Sequence, residues 1–394
     1  MRRKHAATWA MRILHITVEY PPVVHGGLGT AVGGLVAASD RAGLDVRVLL
    51  VNDAARAAYD PTASPHRTQD AAGHARVVTT TAWADAYHRA TSLLRKWRPD
   101  VLHLHVFWLW PLARRLQHEL NLPIVYTVHS LDRAEYEIGH GPPECLVQWN
   151  MQAAAITGAD RVIALSRSEE RLLKTYCPDA AARVKVVGNG ITVPDRNPIA
   201  TCRQWAPLIL FTGRFVDRKG IRDLLAAIPL VLAEAPDTTF VLAGGQRGCD
   251  PDETDHWWRP PQLRGVTQLR FVGWLDAEQI NDWYQAADIL IVPSWYEPFG
   301  MVILEGMKHG LAIAATAVGG PAEILINRHT GLLFPARKPD ALAAALLTLI
   351  TQPALRARLG AAAHREVKRK WDWTVVIKQF LEVYREAGGS RTRR

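Results

Sequence analysis

Short apolar runs alternate with stretches of helical spacing along most of the chain. RILHITV (12–18), DVRVLLV (45–51), DVLHLHV (100–106), PIVYTVH (123–129) and RVIALS (161–166) each read as a buried strand, and KVVGNGI (185–191) closes a first half. A Gly-rich turn and a helix over about residues 29–42 follow the first run. Runs that are apolar on both faces, with short Gly/Pro turns and helices between them, predict parallel sheets covered on both sides.

The alternation then breaks. VPDRNPIATCRQWAP (193–207) holds three prolines and no periodicity, as a linker would. It restarts with LILFTG (208–213), TFVLAGG (239–245), QLRFVGW (268–274), DILIVPS (288–294) and LAIAAT (311–316). Between the first two, Ile221, Leu224, Leu225, Ile228 and Leu232 mark a helix over 221–232 that Pro229 should kink. A last helix over about 374–386 carries a stripe of Ile377, Phe380, Leu381 and Tyr384 that must pack on something. Residues 60–76 and 246–264 read as long loops. The pattern predicts two α/β domains joined near residue 200.

Composition narrows the class. With 394 residues, 48% hydrophobic and 22% charged, the chain can build two cores and is neither disordered, collagen-like nor a coiled coil. Cys145, Cys177, Cys202 and Cys249 form no CxxC pair, which argues against a disulfide scaffold or thiolate zinc site and suggests a reducing compartment. Of the net charge of +9, Arg2, Arg3, Lys4, Arg391, Arg393 and Arg394 supply six, leaving a nearly balanced body. Such tails are usually solvated and give at most a weak attraction to an anionic membrane or polymer, so no nucleic-acid partner is expected. No run is long and apolar enough to span a bilayer, and the charged start has no apolar segment behind it. Met11, just before the first strand, is a second possible start. A soluble, cytoplasmic protein is the expectation.

Four segments could carry chemistry. HGGLGTAVGG (25–34) follows a strand and opens a helix, so its backbone N–H groups can approach an anion; the alternative is a tight strand–helix junction. It begins like a dinucleotide fingerprint, but Val32 stands where the third glycine belongs. GRFVDRKG (213–220) places Arg214 and Lys219 between strand and helix, where a bidentate cation and a point charge suit a diphosphate. Ordinary surface charge is the alternative there, and it is the assignment for Arg218 and Arg222. In SWYEPFGMVILEGMKHG (294–310), Glu297 precedes a helix and Glu305 lies in its first turns. That pair can face one cleft, with the N–H groups of Phe299, Gly300 and Met301 at the helix mouth. A glutamate near a helix N-terminus is stabilising by itself, which explains one carboxylate but not two. His129 ends a strand, where open α/β sheets bind ligands, although a core histidine is the plainer assignment. His103 and His105 alternate with leucines and are assigned to packing. No metal-ligand grouping appears.

Together GGLG, TVH, GRFVDRKG, FVGWL and EPFGMVILEGMKHGLAIAATAVGGPAEIL resemble the GT-B glycosyltransferases, most closely the retaining enzymes of family four with their bacterial glycogen synthase relatives. The resemblance spans residues 11 to about 386, and 294–325 is its most specific stretch. It implies two Rossmann-like domains whose parallel sheets face each other across a cleft. Residues 1–200 would bind acceptor, 201–370 the nucleotide sugar, and 371–394 would be a helix returning to the first domain plus a basic tail. It further implies that Arg214 and Lys219 hold the donor diphosphate with backbone near Gly26 and Gly27. Glu305 would bind the ribose and Leu275 the base. Glu297, with the backbone of Phe299, Gly300 and Met301, would grip the donor sugar, and His129 would reach it from the first domain.

The implied activity is transfer of a sugar from a nucleotide-sugar, UDP-sugar first and GDP-sugar second, to a hydroxyl of a small-molecule, glycan or lipid-linked acceptor. Neither metal nor other cofactor is expected, since two cations and a helix N-terminus can stabilise the departing diphosphate. Retention would follow from same-face attack, with the leaving phosphate taking the acceptor proton. The competing functions are a non-hydrolysing nucleotide-sugar epimerase, a Rossmann dehydrogenase whose fingerprint fails at Val32, and a catalytically inactive sugar-binding module. The 14 tryptophans are many for this family; Trp108, Trp110, Trp257 and Trp258 are assigned to core and rim packing rather than to acceptor or lipid.

Overall fold

The computed structural model describes residues 10–22, 24, 26–51, 68–69, 76–80, 83–194, 207–245 and 250–389. The basic tails, Cys202, Cys249, the linker over 195–206 and most of the expected loop over 60–76 lie outside them.

Two sheets organise the chain. The first comprises β1 (Arg12–Thr17), β2 (Asp45–Val51), β3 (Thr68–Gln69), β4 (Arg76–Thr80), β5 (Val101–Leu104), β6 (Ile124–Val128), β7 (Arg161–Ala164) and β8 (Val184–Val186). Its order is β3-β4-β2-β1-β5-β6-β7-β8, parallel except for the β3–β4 pair. The second comprises β9 (Leu208–Gly213), β10 (Thr239–Gly244), β11 (Leu269–Gly273), β12 (Ile289–Val292), β13 (Ala312–Thr316) and β14 (Leu332–Phe334), in the order β11-β10-β9-β12-β13-β14 and wholly parallel. Both are doubly wound sheets whose order reverses beside the first strand, at β1/β5 and at β9/β12. Ligands bind beyond the carboxyl ends of strands at such switch points.

Helices cover both faces. In the first half these are α1 (Gly27–Arg41), α2 (Trp83–Lys96), α3 (Trp110–Leu120), α4 (Asp132–Glu137), α5 (Glu144–Gly158) and α6 (Arg167–Tyr176). In the second they are α7 (Ile221–Glu234), α8 (Pro251–Trp258), α9 (Ala277–Ala286), α10 (Met301–Lys308), α11 (Pro321–Ile324), α12 (Pro339–Thr351) and α13 (Pro353–Glu366). Pro229 lies within α7, which runs on to Glu234. The expected loop over 246–264 holds α8, started by Asp250, whose side chain accepts from the Asp252 N–H. Pro251 at the first helical position suits that start. Few apolar residues mark this segment, and capping rather than periodicity carries the signal.

The last helix, α14 (Trp373–Gly389), crosses back to the first sheet. Trp373, Val376, Ile377, Phe380, Val383, Tyr384 and Ala387 are buried against Val32, Leu35, Val36, Val101, Val125 and Ile163. Each such large apolar side chain contributes roughly 1.5–3 kcal/mol by leaving water, so the stripe is ample to hold the helix there. Gly34 in α1 makes room for it: a Cβ there would stand 2.2 Å from the Trp373 indole nitrogen. The chain passes between the domains twice, and the two passages touch where Ile191 bridges Asp372.

Candidate active site

The loops at the carboxyl ends of the two sheets meet each other. Tyr296, after β12, accepts the Leu131 N–H at 3.0 Å and donates its hydroxyl to Glu169 at 2.9 Å. Arg218, after β9, donates to Glu135 in α4 at 2.8 Å. Glu323, in α11, accepts the Arg167 and Ser168 N–H groups at the start of α6, both at 2.8 Å. Arg337 donates to the Ile138 carbonyl at 2.6 Å while stacking on Trp295. These cross-domain contacts leave no mark in the sequence, because each partner lies more than 80 residues from the other. Arg218 corrects an expectation: it is 8% exposed and paired across the cleft, not surface charge. Arg222 is surface charge, paired with Asp217.

At the centre, the first turns of α1 and α10 touch. A Cβ on Gly27 would stand 3.4 Å from Cγ of Met301. Gly26 and Gly300 precede these helices, and neither start has a side-chain cap or an acidic residue in its first turn. Among the described residues, two helix N-termini without side-chain caps therefore lie beside each other, an arrangement that favours an anion.

The cations gather nearby. β9 ends at Gly213, and a 3₁₀ turn over Asp217–Lys219 leads into α7. Gly220 has φ 68° and passes so close to β12 that a Cβ would stand 1.9 Å from the Pro293 carbonyl oxygen. That close approach brings Lys219 to Glu297: Nζ and Oε2 are 2.5 Å apart, and Ser294 Oγ donates to the same oxygen at 3.2 Å. Burial pushes the Glu297 carboxyl up, but the Lys219 and Arg218 charges overcome it and hold the group below the usual carboxylate range. Arg214 is exposed and forms no salt bridge among the described residues, with Glu19, Glu135 and Glu297 in electrostatic range. Glu19 Oε2 would lie 3.1 Å from a Cβ on Gly29, so Arg214 sits opposite the start of α1.

The remaining candidates fall into two groups. Glu305, in α10, accepts the Tyr284 hydroxyl at 2.6 Å, and burial raises its carboxyl. Leu275 packs in the same apolar cluster as Tyr284 and Leu304. Phe299 is 3% exposed, its ring turned against Trp371 at the passage between the domains.

His129 follows β6 and is half-buried, with its pKa drawn down to about 4 by burial. Its Nε2 lies 3.2 Å from His105 Nδ1. His103 and His105 are buried, as packing required, but they belong to a histidine cluster with His15. Among the described residues, one nitrogen from each of these three lies within 4.8 Å of the others. Sequence spacing gave no sign of this, because His15 joins through the β1–β5 register, opposite His103.

Asp132, just past His129, is lifted to about 7 by burial and by Glu135. The loop carrying both is tied to α5 by Gln152, which accepts the Asp132 N–H and donates to the Ser130 carbonyl. One turn away Gln148 accepts from the Trp108 indole at 3.3 Å. Leu146, Val147 and Met151 lie exposed on this helix, and Trp108 itself is 45% exposed. Trp257 is 81% exposed. These two tryptophans correct the packing assignment, which holds for Trp110, buried in the first core, and for Trp258, packed on Phe215.

Two family descriptions match the chain: Glycosyltransferase Family 4 over residues 25–193, and Glycosyl transferases group 1 over 206–352. The glycogen synthase of Mycobacterium tuberculosis is 31% identical, covering 95% of this chain and 94% of its own. The alpha-maltose-1-phosphate synthase of Mycolicibacterium smegmatis is also 31% identical, over 95% and 99%. Among solved structures, sucrose-phosphate synthase from Thermosynechococcus elongatus superposes with a TM-score of 0.79 at 25% identity, over 96% of this chain and 100% of that one. Anabaena HepE, solved with UDP and glucose, shares the fold with a TM-score of 0.73 at 19% identity, over 94% and 98%.

Proposed function

Since the chain belongs to the family four GT-B glycosyltransferases, we propose that it transfers a sugar with retention from a nucleoside-diphosphate sugar, UDP-sugar first, to a hydroxyl acceptor. The observation that carries this is the meeting of two uncapped helix N-termini, α1 at Gly27 and α10 at Met301, beside Arg214 and the Lys219–Glu297 pair. A diphosphate fits that space: Arg214 binds it bidentately, Lys219 adds charge, and the N–H groups about Gly26 and Gly27 complete its coordination. Glu305 takes the ribose hydroxyls and Leu275 the base. Glu297 and the backbone of Phe299, Gly300 and Met301 hold the sugar, with His129 on its other side.

In the reaction the bond from the anomeric carbon to the diphosphate oxygen breaks as the acceptor oxygen bonds to the same face. The acceptor proton passes to the leaving phosphate oxygen. The developing negative charge is met by Arg214, Lys219 and the two helix N-termini, groups fixed before the reaction begins, so no metal is required. The acceptor lies on the first domain over Asp132 and Trp108, where exposed apolar groups on α5 suit the face of a sugar ring. Carbohydrate acceptors are the first to test. Epimerase and dehydrogenase functions are set aside, since the relatives are synthases and glycosyltransferases.

Nucleoside-diphosphate release from UDP-, GDP-, ADP- and dTDP-glucose tests this. Slow release from one donor, lost in Glu305→Ala, supports it. No binding of any donor overturns it.

A further inference from the structure

Behind His129 lies a chain of imidazoles. His129 Nε2 is 3.2 Å from His105 Nδ1, and His105 Nε2 is 3.0 Å from His15 Nδ1. The far end, His15 Nε2, is fully buried with no partner among the described residues. His103 packs against this row, its ring 4.1 Å from that of His105, and is itself held at both nitrogens by Tyr384 and Thr127.

All of these rings are neutral at pH 7, because burial draws His15 to about 3, His129 to about 4, and His103 and His105 well below the usual value. A neutral imidazole has one N–H and one bare nitrogen. Each link needs one proton, so the row has only two registers. If the protons point toward His15, that residue must carry an N–H on its buried, unpartnered Nε2. If they point toward His129, His15 ends in a bare nitrogen. Among backbone groups, orphaned buried N–H donors are rarer than under-satisfied acceptors, and the same ordering applied to His15 Nε2 selects the second register. His105 then donates from Nδ1 to His129 Nε2, and the one proton of His129 is on Nδ1.

We propose that His15 and His105 are positioning residues that lock His129 in its Nδ1–H tautomer, so that it offers the bound donor a neutral hydrogen-bond donor rather than an acceptor. This rests on the assignment of His129 to the donor sugar. The paired nitrogens of His103 and His105 also explain why the cluster is a hydrogen-bonded row: the nitrogens that would bind an ion are already committed to Tyr384, Thr127, His15 and His129. Because His15 closes the row inside the core, it orients His129 without conducting protons away.

The test is long-range ¹H–¹⁵N NMR on ¹⁵N-histidine-labelled, ligand-free protein, with His129→Asn used only to assign the signals. The expected spectrum shows His129 protonated at Nδ1 and bare at Nε2; the reverse overturns the proposal, whether or not any donor is turned over. In His105→Leu the His129 signals should shift toward the other tautomer. There kcat with UDP-glucose should fall about 10–100-fold, the usual cost of losing an orienting partner, while the Kd for UDP stays within about threefold. His105→Asn, whose amide nitrogen can stand where Nδ1 donates, should recover most of kcat. Unchanged kcat and an unchanged His129 spectrum in a folded, UDP-binding His105→Leu protein would overturn the proposal, as would equal losses in the Leu and Asn variants.

Discussion

Lys219 and Glu297 form a nearly buried ion pair, with Nζ and Oε2 2.5 Å apart and side chains 19% and 9% exposed. The sequence suggests that replacing either donor-site cation would cost turnover far more than stability, but the two cations stand differently. Lys219→Ala leaves a buried carboxylate unpaired, which costs on the order of 3–5 kcal/mol. Arg214, exposed and outside any ion pair among the described residues, can be removed without that penalty. Arg214→Ala is expected to keep its thermal midpoint within a degree or two while kcat/KM falls about 10²–10³-fold, the range for a lost charge-stabilising contact. Lys219→Ala should lose both. Parallel melting and kinetic measurements separate the two.

Glu169 makes the domain junction sensitive to pH. It is fully buried, receives the Tyr296 hydroxyl, and burial raises its pKa to about 8. A raised carboxylate pKa means the folded state keeps a proton that the unfolded chain gives up near 4.5. Its contribution is fully present below that value and lost as pH rises toward 8, by up to on the order of 4 kcal/mol. Glu169→Gln should therefore match wild type near pH 4.5 and exceed it increasingly up to pH 8, in urea midpoints measured side by side.

The histidine row acts in the opposite direction. His15 and His129 titrate near 3 and 4 in the folded protein, against 6.5 when exposed. Their contribution is present above pH 6.5 and lost as pH falls toward 4, by about 1.4 kcal/mol per pH unit for each ring. His15→Leu should flatten the loss of stability between pH 6 and 4.5, read from the same denaturation curves.

Docking of the last helix depends on a missing side chain. Gly34→Ala would place a Cβ 2.2 Å from the Trp373 indole nitrogen, so the ring or helix must move. A cost of about 1–3 kcal/mol is expected from overpacking. Gly388→Ala, with nothing within 4 Å, is the neutral control. Urea midpoints of the two variants check this.

What the sequence conveyed follows from the range of each interaction. Strands such as Ile124–Val128 and Ile289–Val292 are continuous apolar runs, legible because burial on both faces leaves no polar alternation. Arg214, Lys219, Glu297 and Glu305 stand in two short segments of strong local signature. β14 and the short β3 were missed because two or three residues make no pattern. Glu169, Tyr296, Glu323 and the His15–His105 link were missed for another reason. Their meaning comes from a partner on the other domain or a neighbouring strand, which only the folded register supplies. Asp132 was within reach, three residues beyond His129 at the start of a helix, but its raised pKa comes from burial and from Glu135.

Metal removal is a separate check. With Arg214, Lys219 and two helix N-termini facing the diphosphate, turnover of the preferred donor should stay within about twofold in excess chelator. A loss restored by a divalent cation would show that these groups do not suffice.

The most direct measurement is nucleoside-diphosphate release across UDP-, GDP-, ADP- and dTDP-glucose in wild type and Arg214→Ala. Slow release from one donor, falling about 10²-fold or more in a variant with unchanged thermal midpoint, is the expected result. Release that Arg214→Ala leaves untouched, or no donor binding at all, would contradict a diphosphate site between α1 and α10.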